Sequence, residues 1–255
     1  MNILALGDVV SDSGCEFLRQ RLPGIKKLYG VDFVIANGEN SAVGNGITPT
    51  SAKYLFDSGV DLITTGNHVF RRKEMYDMLD ERSDIIRPAN YHSEAPGKGW
   101  AQIDLGFTQL AVINLAGRVY MEDSENPFDA ADRILDKISC KTVIVDFHAE
   151  ATAEKAALAY YLDGKVSAVF GTHTHVQTAD ARILPKGTGF ITDIGMTGVK
   201  DSVIGVVPEI SVNHIRTGMP ARFDAAKGPC MLNGCIFGID QKTGRCESAE
   251  SVIVE

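Results

Sequence analysis

The chain has 255 residues, with 25 Lys and Arg against 33 Asp and Glu, and a net charge of −8 with its six histidines neutral. At 44% apolar residues it can build a substantial core, which excludes disorder, and no run of like charges provides a basic nucleic-acid arm or an acidic tail. Any phosphate handled by this protein must therefore meet positive charge supplied locally.

No basic leader and no apolar run of ~18 residues occurs, so neither a signal peptide nor a transmembrane helix is expected. Five cysteines (Cys15, Cys140, Cys230, Cys235 and Cys246) are odd in number and lack C-x-x-C spacing, which predicts a reduced, cytoplasmic protein.

In chain order, 2–6 reads as a strand and 15–22 as a helix, with Asp12 or Ser13 as N-cap and Pro23-Gly24 as the stop. A strand at 33–36 follows. Thr48-Pro49 then places a cap and an N1 proline before a helix that Gly59 ends, and 62–65 is a third strand. Further strands are expected at 109–115, 142–147, 166–170, 189–192, 232–238 and 247–254, with helices at 130–137, 153–162 and 207–215. Strand–helix alternation followed by a strand-rich end predicts a layered α/β sandwich, a single domain over 1–255. The Gly-, Pro- and Arg-rich stretch 213–229 suggests a small cap over a site, around 207–230.

Five expected strands stop at polar residues: Gly7-Asp8, Asn37-Gly38-Glu39-Asn40, Gly66-Asn67-His68, Asp146-Phe147-His148 and Gly171-Thr172-His173-Thr174-His175. Singly, each Asp or Asn reads as a cap, Glu39 as a solvated charge and His148 as a core histidine. An H-x-H in a strand puts His173 and His175 on one face. Ligands of α/β sheets bind beyond the carboxyl ends of strands, so these loops are expected to converge. Two carboxylates, two amides and three histidines without a thiolate suit iron, manganese or zinc at a catalytic site, and their number suits two ions sharing a bridging carboxylate. Glycines beside these residues suggest sharp turns at the strand ends.

This ordered set resembles the calcineurin-like metallophosphoesterases. More narrowly, Asn37-Gly38-Glu39-Asn40, Arg87-Pro88-Ala89-Asn90, the stretch from Asp146 through Thr152, the stretch from Gly171 through Asp180, and Thr192-Asp193-Ile194-Gly195-Met196-Thr197-Gly198 resemble the YmdB-like branch, and the likeness runs over essentially the whole chain. The resemblance implies a four-layer αββα sandwich, a di-iron centre and hydrolysis of phosphodiesters, including 2′,3′-cyclic nucleotides. It further implies Asp8, Glu39, Asn40 and His175 around a first metal, Glu39 bridging to a second held by Asn67, His148 and His173, and His68 as general acid. Two features depart from the pattern. Val10 stands where the wider superfamily usually has a histidine, and Val69-Phe70-Arg71-Arg72 follows Gly66-Asn67-His68 where the branch often has a tryptophan and an acid.

The resulting expectation is a di-metal phosphodiesterase acting on cyclic nucleotides or short RNA-derived phosphodiesters through a metal-bridging hydroxide, with His68 as proton donor. The alternatives are a phosphomonoesterase or nucleotidase on the same centre and a non-catalytic nucleotide-binding regulator. The expected partners are a small phosphodiester or cyclic nucleotide, without long nucleic acid or membrane, and a second copy of the chain is one more. His92 and His214 read as structural or surface residues, and Arg71, Arg72 and Arg216 more as solvated than as substrate contacts. Glu150 and Asp193 are candidates to orient the histidines. Gly195-Met196-Thr197-Gly198 reads equally as a phosphate-binding backbone or a tight loop.

Overall fold

The computed structural model describes residues 1–255. Two mixed sheets lie face to face. In the first, β1 (Asn2–Leu6), β3 (Phe33–Asn37), β4 (Leu62–Thr64) and β5 (Ile85–Ile86) run parallel, and β13 (Cys230–Ile239) and β14 (Cys246–Val254) close one side as an antiparallel pair. The second sheet has β7 (Gln109–Ala116), β8 (Thr142–His148), β9 (Ala168–Thr172) and β11 (Gly189–Ile191) parallel at its centre. Antiparallel β6 (Trp100–Asp104) and β10 (Arg182–Ile183) form its edges.

Period-two alternation divides the apolar residues among three cores. Ile3, Ala5, Phe33 and Ile35 meet Leu110, Val112, Ile144 and Phe170 between the sheets. Leu4, Leu6, Val34 and Ala36 face outward onto α1 (Ser11–Tyr29) and α2 (Pro49–Asp57). On the far side Ala111, Ile113, Val145 and Phe147 pack against α4 (Pro127–Leu135) and α5 (Thr152–Leu162), with the short α3 (Tyr76–Glu81) on the first sheet's side. Helix, sheet, sheet, helix is the four-layer order that the family resemblance implied.

Helix α1 does not stop at Pro23. It runs on to Gly30, whose left-handed φ of 58° forms the C-cap. Proline removes one intrahelical hydrogen bond, but Leu18, Leu22 and Ile25 are all buried against the sheet, each worth roughly 1.5–3 kcal/mol, and this outweighs the break. The helix starts at Ser11 without a side-chain cap, so neither Asp12 nor Ser13 serves as one. Thr48 does cap α2, in a reciprocal box with Ser51.

The four glycines at the strand ends serve packing rather than turning. None of Gly7, Gly38, Gly66 and Gly171 has a positive φ. A Cβ on Gly7 would lie 2.0 Å from the Gly195 carbonyl oxygen, and one on Gly66 would lie 2.2 Å from the His148 ring. At Gly7 the first strand parts from β13 and continues as β2 (Asp8–Val9), letting β12 (Met196–Val199) insert between them. The segment 195–198 is therefore a buried strand. Gly195 O accepts from Asp8 N and Thr197 O from Val10 N, Gly195 N donates to Asp193 Oδ1 at 2.8 Å, and the strand pairs with β2 and β13, so this segment is interior sheet structure rather than an open loop.

Candidate dinuclear metal centre

The carboxyl ends of the parallel strands of both sheets meet at one rim, and all seven candidate ligands stand there. Glu39, His148 and His173 place ligand atoms within 4.8 Å of one another. His148 Nε2 lies 2.9 Å from Asn67 Oδ1, 3.1 Å from His173 Nδ1 and 3.2 Å from Glu39 Oε1. Beside this group, His175 Nε2 stands 3.6 Å from Asp8 Oδ1 and 3.3 Å from the Asn40 amide. Glu39 belongs to both groups, since its Oε1 also meets the Asn40 amide at 3.3 Å.

Each histidine turns one nitrogen to the centre and spends the other. The Asp146 carboxylate accepts from Thr172 Oγ1 at 2.7 Å, and Thr172 in turn meets His148 Nδ1 at 2.9 Å, which leaves Nε2 as the inward lone pair. His175 Nδ1 donates to the Ile204 carbonyl at 2.9 Å. His173 Nε2 faces Glu150 at 3.2 Å. Asp193, paired with the buried Lys155 at 2.6 Å, accepts from the Thr174 amide and hydroxyl and so braces the turn between the two histidines.

That turn is not a strand. β9 ends at Thr172, and His173 and His175 have φ of 97° and 65°, so they converge through left-handed backbone rather than through strand alternation. Other candidates lie outside the cluster. His92 is a local acceptor for the Glu94 amide, and His214 bonds the Met219 carbonyl. Arg72 holds the carbonyls of Val43 and Asn45, Arg71 faces Glu122 at 3.9 Å, and Arg216 lies in the last turn of α6 (Pro208–Thr217).

Electrostatics follow from this packing. Burial disfavours the charge on Asp8 and Glu39, yet the neighbouring histidines outweigh it and hold both carboxyls below their usual range. Burial likewise opposes charge on His148, but Glu39, Asp8 and Asp146 push it up to about 9, and Asp8 raises His175 in the same way. Burial and the nearby His148 bring His173 down to about 4. Burial above all pushes Asp146 up to about 7.

Asp8 Oδ1 is fully buried and has no hydrogen-bond partner. An orphaned carboxylate oxygen beside converging imidazole lone pairs fits a bound cation, and the oxygen and nitrogen donors fit a hard or borderline one. A cavity of about 550 Å³ adjoins the cluster, lined by Glu39, His68, His173 and His175 and also by Ile204 and Phe223. Sequence reasoning assigned no role to Asn37, Asp146, Thr172 or Lys155. The available signal was polarity inside strands: Asp146 interrupts an otherwise apolar run, and it is fully buried.

The family model for YmdB-like proteins matches residues 4–252. The chain belongs to the YmdB-like family. It is 43% identical to the 2′,3′-cyclic-nucleotide 2′-phosphodiesterase of Bacillus subtilis, over all of this chain and 97% of that one. A crystal structure of a hypothetical protein from Thermus thermophilus superposes with a TM-score of 0.95 at 42% identity, covering 100% of this chain and 99% of the other. A Mycoplasma pneumoniae structure described as a novel phosphatase gives 0.95 at 34% identity, covering 100% and 93%. The calcineurin-like phosphoesterase YfkN of B. subtilis, at 12% identity and a TM-score of 0.60 over 99% of this chain and 90% of its own, shares the fold with this YmdB-like chain.

Proposed function

We propose that this protein is a metal-dependent phosphodiesterase that hydrolyses 2′,3′-cyclic nucleotides or short RNA-derived phosphodiesters. The observation that carries the reading is the cluster of seven candidate ligands, with Asp8 Oδ1 left without a hydrogen bond, beside a cavity of small-molecule size that Glu39, Asn40, His173, His175 and His68 line. The cyclic-nucleotide activity named for the B. subtilis relative, 43% identical along its whole length, agrees with it.

In this reading Asp8, Asn40 and His175 would hold one cation, Asn67, His148 and His173 would hold the other, and Glu39 would serve both. Iron is the proposed metal, with manganese and zinc compatible with the same donors. Bound divalent cations supply Lewis acidity at the phosphoryl oxygens and lower the pKa of water near neutrality. Asp8 and Glu39 stay ionised in their histidine-lined setting, ready to balance that charge.

In the same reading His68 delivers the proton that a departing sugar alkoxide requires. Its backbone N–H donates to Glu39 Oε2 at 2.9 Å, and its Nδ1 meets Asn40 Oδ1 at 2.9 Å, which leaves Nε2 for the substrate. Burial and Arg71 depress its pKa in the free site, and a phosphodiester anion beside it raises it again toward the range a general acid needs. The free, unpaired state of all five cysteines supports a reducing, cytoplasmic setting, and no helix is long and apolar enough to cross a membrane.

The test is multiple-turnover hydrolysis of a 2′,3′-cyclic nucleotide, a linear dinucleotide and a nucleoside monophosphate by metal-analysed protein. Cyclic diester turnover well above monoester turnover is expected. Preference for the monoester would favour a phosphatase, the description given to the M. pneumoniae structure, and binding without product release would leave a nucleotide-binding regulator.

A further inference from the structure

The chain turns at Val203-Ile204-Gly205-Val206, where Val203 and Val206 exchange both backbone hydrogen bonds, at 2.9 and 3.0 Å. Both central residues have positive φ, 48° at Ile204 and 98° at Gly205, as in a two-residue type I′ turn. Such turns select Asn-Gly or Gly-Gly, and a β-branched residue with positive φ is a conformational outlier. The Ile204 carbonyl accepts from His175, but glycine or asparagine would present the same carbonyl without strain. The side chain needs another reason, and broken local rules concentrate at functional positions.

Ile204, 48% exposed, lines the cavity beside the candidate metal centre together with Phe223, at 45% exposure, and with Val206, Ala225 and Val10. Phe223 is not a loose surface ring. The His214 ring on α6 packs edge-on against it at 5.3 Å and 88°, and Val207 N donates to the Asp224 carbonyl beside it. The lining of the cavity thus combines charge and imidazole with a group of apolar side chains, of which Phe223 is braced by a helix.

We propose that Phe223 and Ile204 form a nucleobase subsite, against which the base of the substrate stacks while its phosphate lies at the metal centre. This rests on the phosphodiesterase reading above, and it makes the region around 207–230 a cap with a binding role. A flat π-face beside a phosphate is the ligand chemistry that matches an apolar wall continuous with a cationic centre. The amides of Val203, Gly205 and Val206 are all used within the turn, so this wall has few polar groups with which to read base edges. Adenine, guanine, cytosine and uracil are therefore accepted alike, with purines ahead by their larger stacking area.

The experiment compares adenosine 2′,3′-cyclic phosphate with methyl riboside 2,3-cyclic phosphate, the same diester without a base, in wild type, Phe223→Ala, Phe223→Trp and Ile204→Gly. The readout is the ratio of the two kcat/KM values, together with ligand-observed NMR of adenosine binding to metal-free protein. Base–aromatic stacking predicts that the ratio falls about tenfold in Phe223→Ala and in Ile204→Gly and is kept in Phe223→Trp, with adenosine binding lost in the first two. Ile204→Gly suits the turn geometry, so it tests the side chain even where Phe223→Ala fails to fold. A wild-type enzyme that cleaves both substrates equally, or ratios unmoved by either variant, overturns the subsite and leaves the phosphodiesterase standing. Failure of metal-loaded wild type to cleave either diester overturns both.

Discussion

His148 and His175 present the same atom to the same cluster but are held in opposite ways. His148 is fully buried between the sheets, and its second nitrogen meets a side-chain relay through Thr172 to Asp146 in the inter-sheet layer. His175 stands in a left-handed turn, and its second nitrogen bonds a backbone carbonyl of the cap-side hairpin. The two proposed metal positions are therefore expected to differ. His148 is anchored by the sandwich, although its neighbour His173 shares the left-handed turn of His175, and His175 is tied to a loop whose Ile204 lines the adjoining cavity. We expect the half around His148 to be the more rigid and the half around His175 the more adjustable.

The largest effect is expected where the halves join. Glu39→Gln weakens both positions at once, and turnover should fall by at least about three orders of magnitude, with metal content falling too. Retention of both ions by this variant would show that the halves bind independently. His68→Ala should lower kcat by roughly two to four orders of magnitude while metal analysis stays at the wild-type level, because it removes a proton donor and neither half. Near-normal turnover would take His68 out of that role.

The comparison sharpens with one support removed from each side. Thr172→Val cuts the relay behind His148 and should weaken metal affinity by roughly 10- to 100-fold. Ser202→Ala removes the hydroxyl that accepts from Gly205 N at 2.8 Å and donates to the Val199 carbonyl, and should cost only a few-fold, since the turn keeps its other hydrogen bonds. Metal titration read by calorimetry would reverse the assignment of rigid and adjustable halves if Ser202→Ala proved the more damaging.

The last effect concerns protons and is read as stability rather than turnover. Metal-free His148 is raised from the usual 6.5 to about 9, so its contribution to stability is complete below about 6.5 and is lost as pH rises through about 9. The melting temperature of metal-free protein should fall across that window, and loading metal near pH 7 should release protons as His148 becomes a neutral ligand. Equal calorimetric binding enthalpies in buffers of different ionisation enthalpy would show that no proton is released.

The residues that converge were legible in the sequence because each one ends an apolar strand, and strands of one sheet run to a common edge. Strand–helix alternation likewise pointed to a layered α/β sandwich, while the four-layer order came from the family resemblance; the division of the apolar residues among three cores appears only once the two sheets are placed. The conformation at His173 and His175, the passage of α1 through Pro23, and the packing role of Gly7 and Gly66 were not legible. Each depends on an atom far away in the chain, such as the Gly195 carbonyl or the His148 ring, that no local pattern contains. Composition fixed only that positive charge must be local; bringing Asp8 and Glu39 from one sheet against His148 and His173 from the other required the sandwich to close, because only there are the carboxylates buried among imidazoles, with Asp8 Oδ1 left without a hydrogen bond.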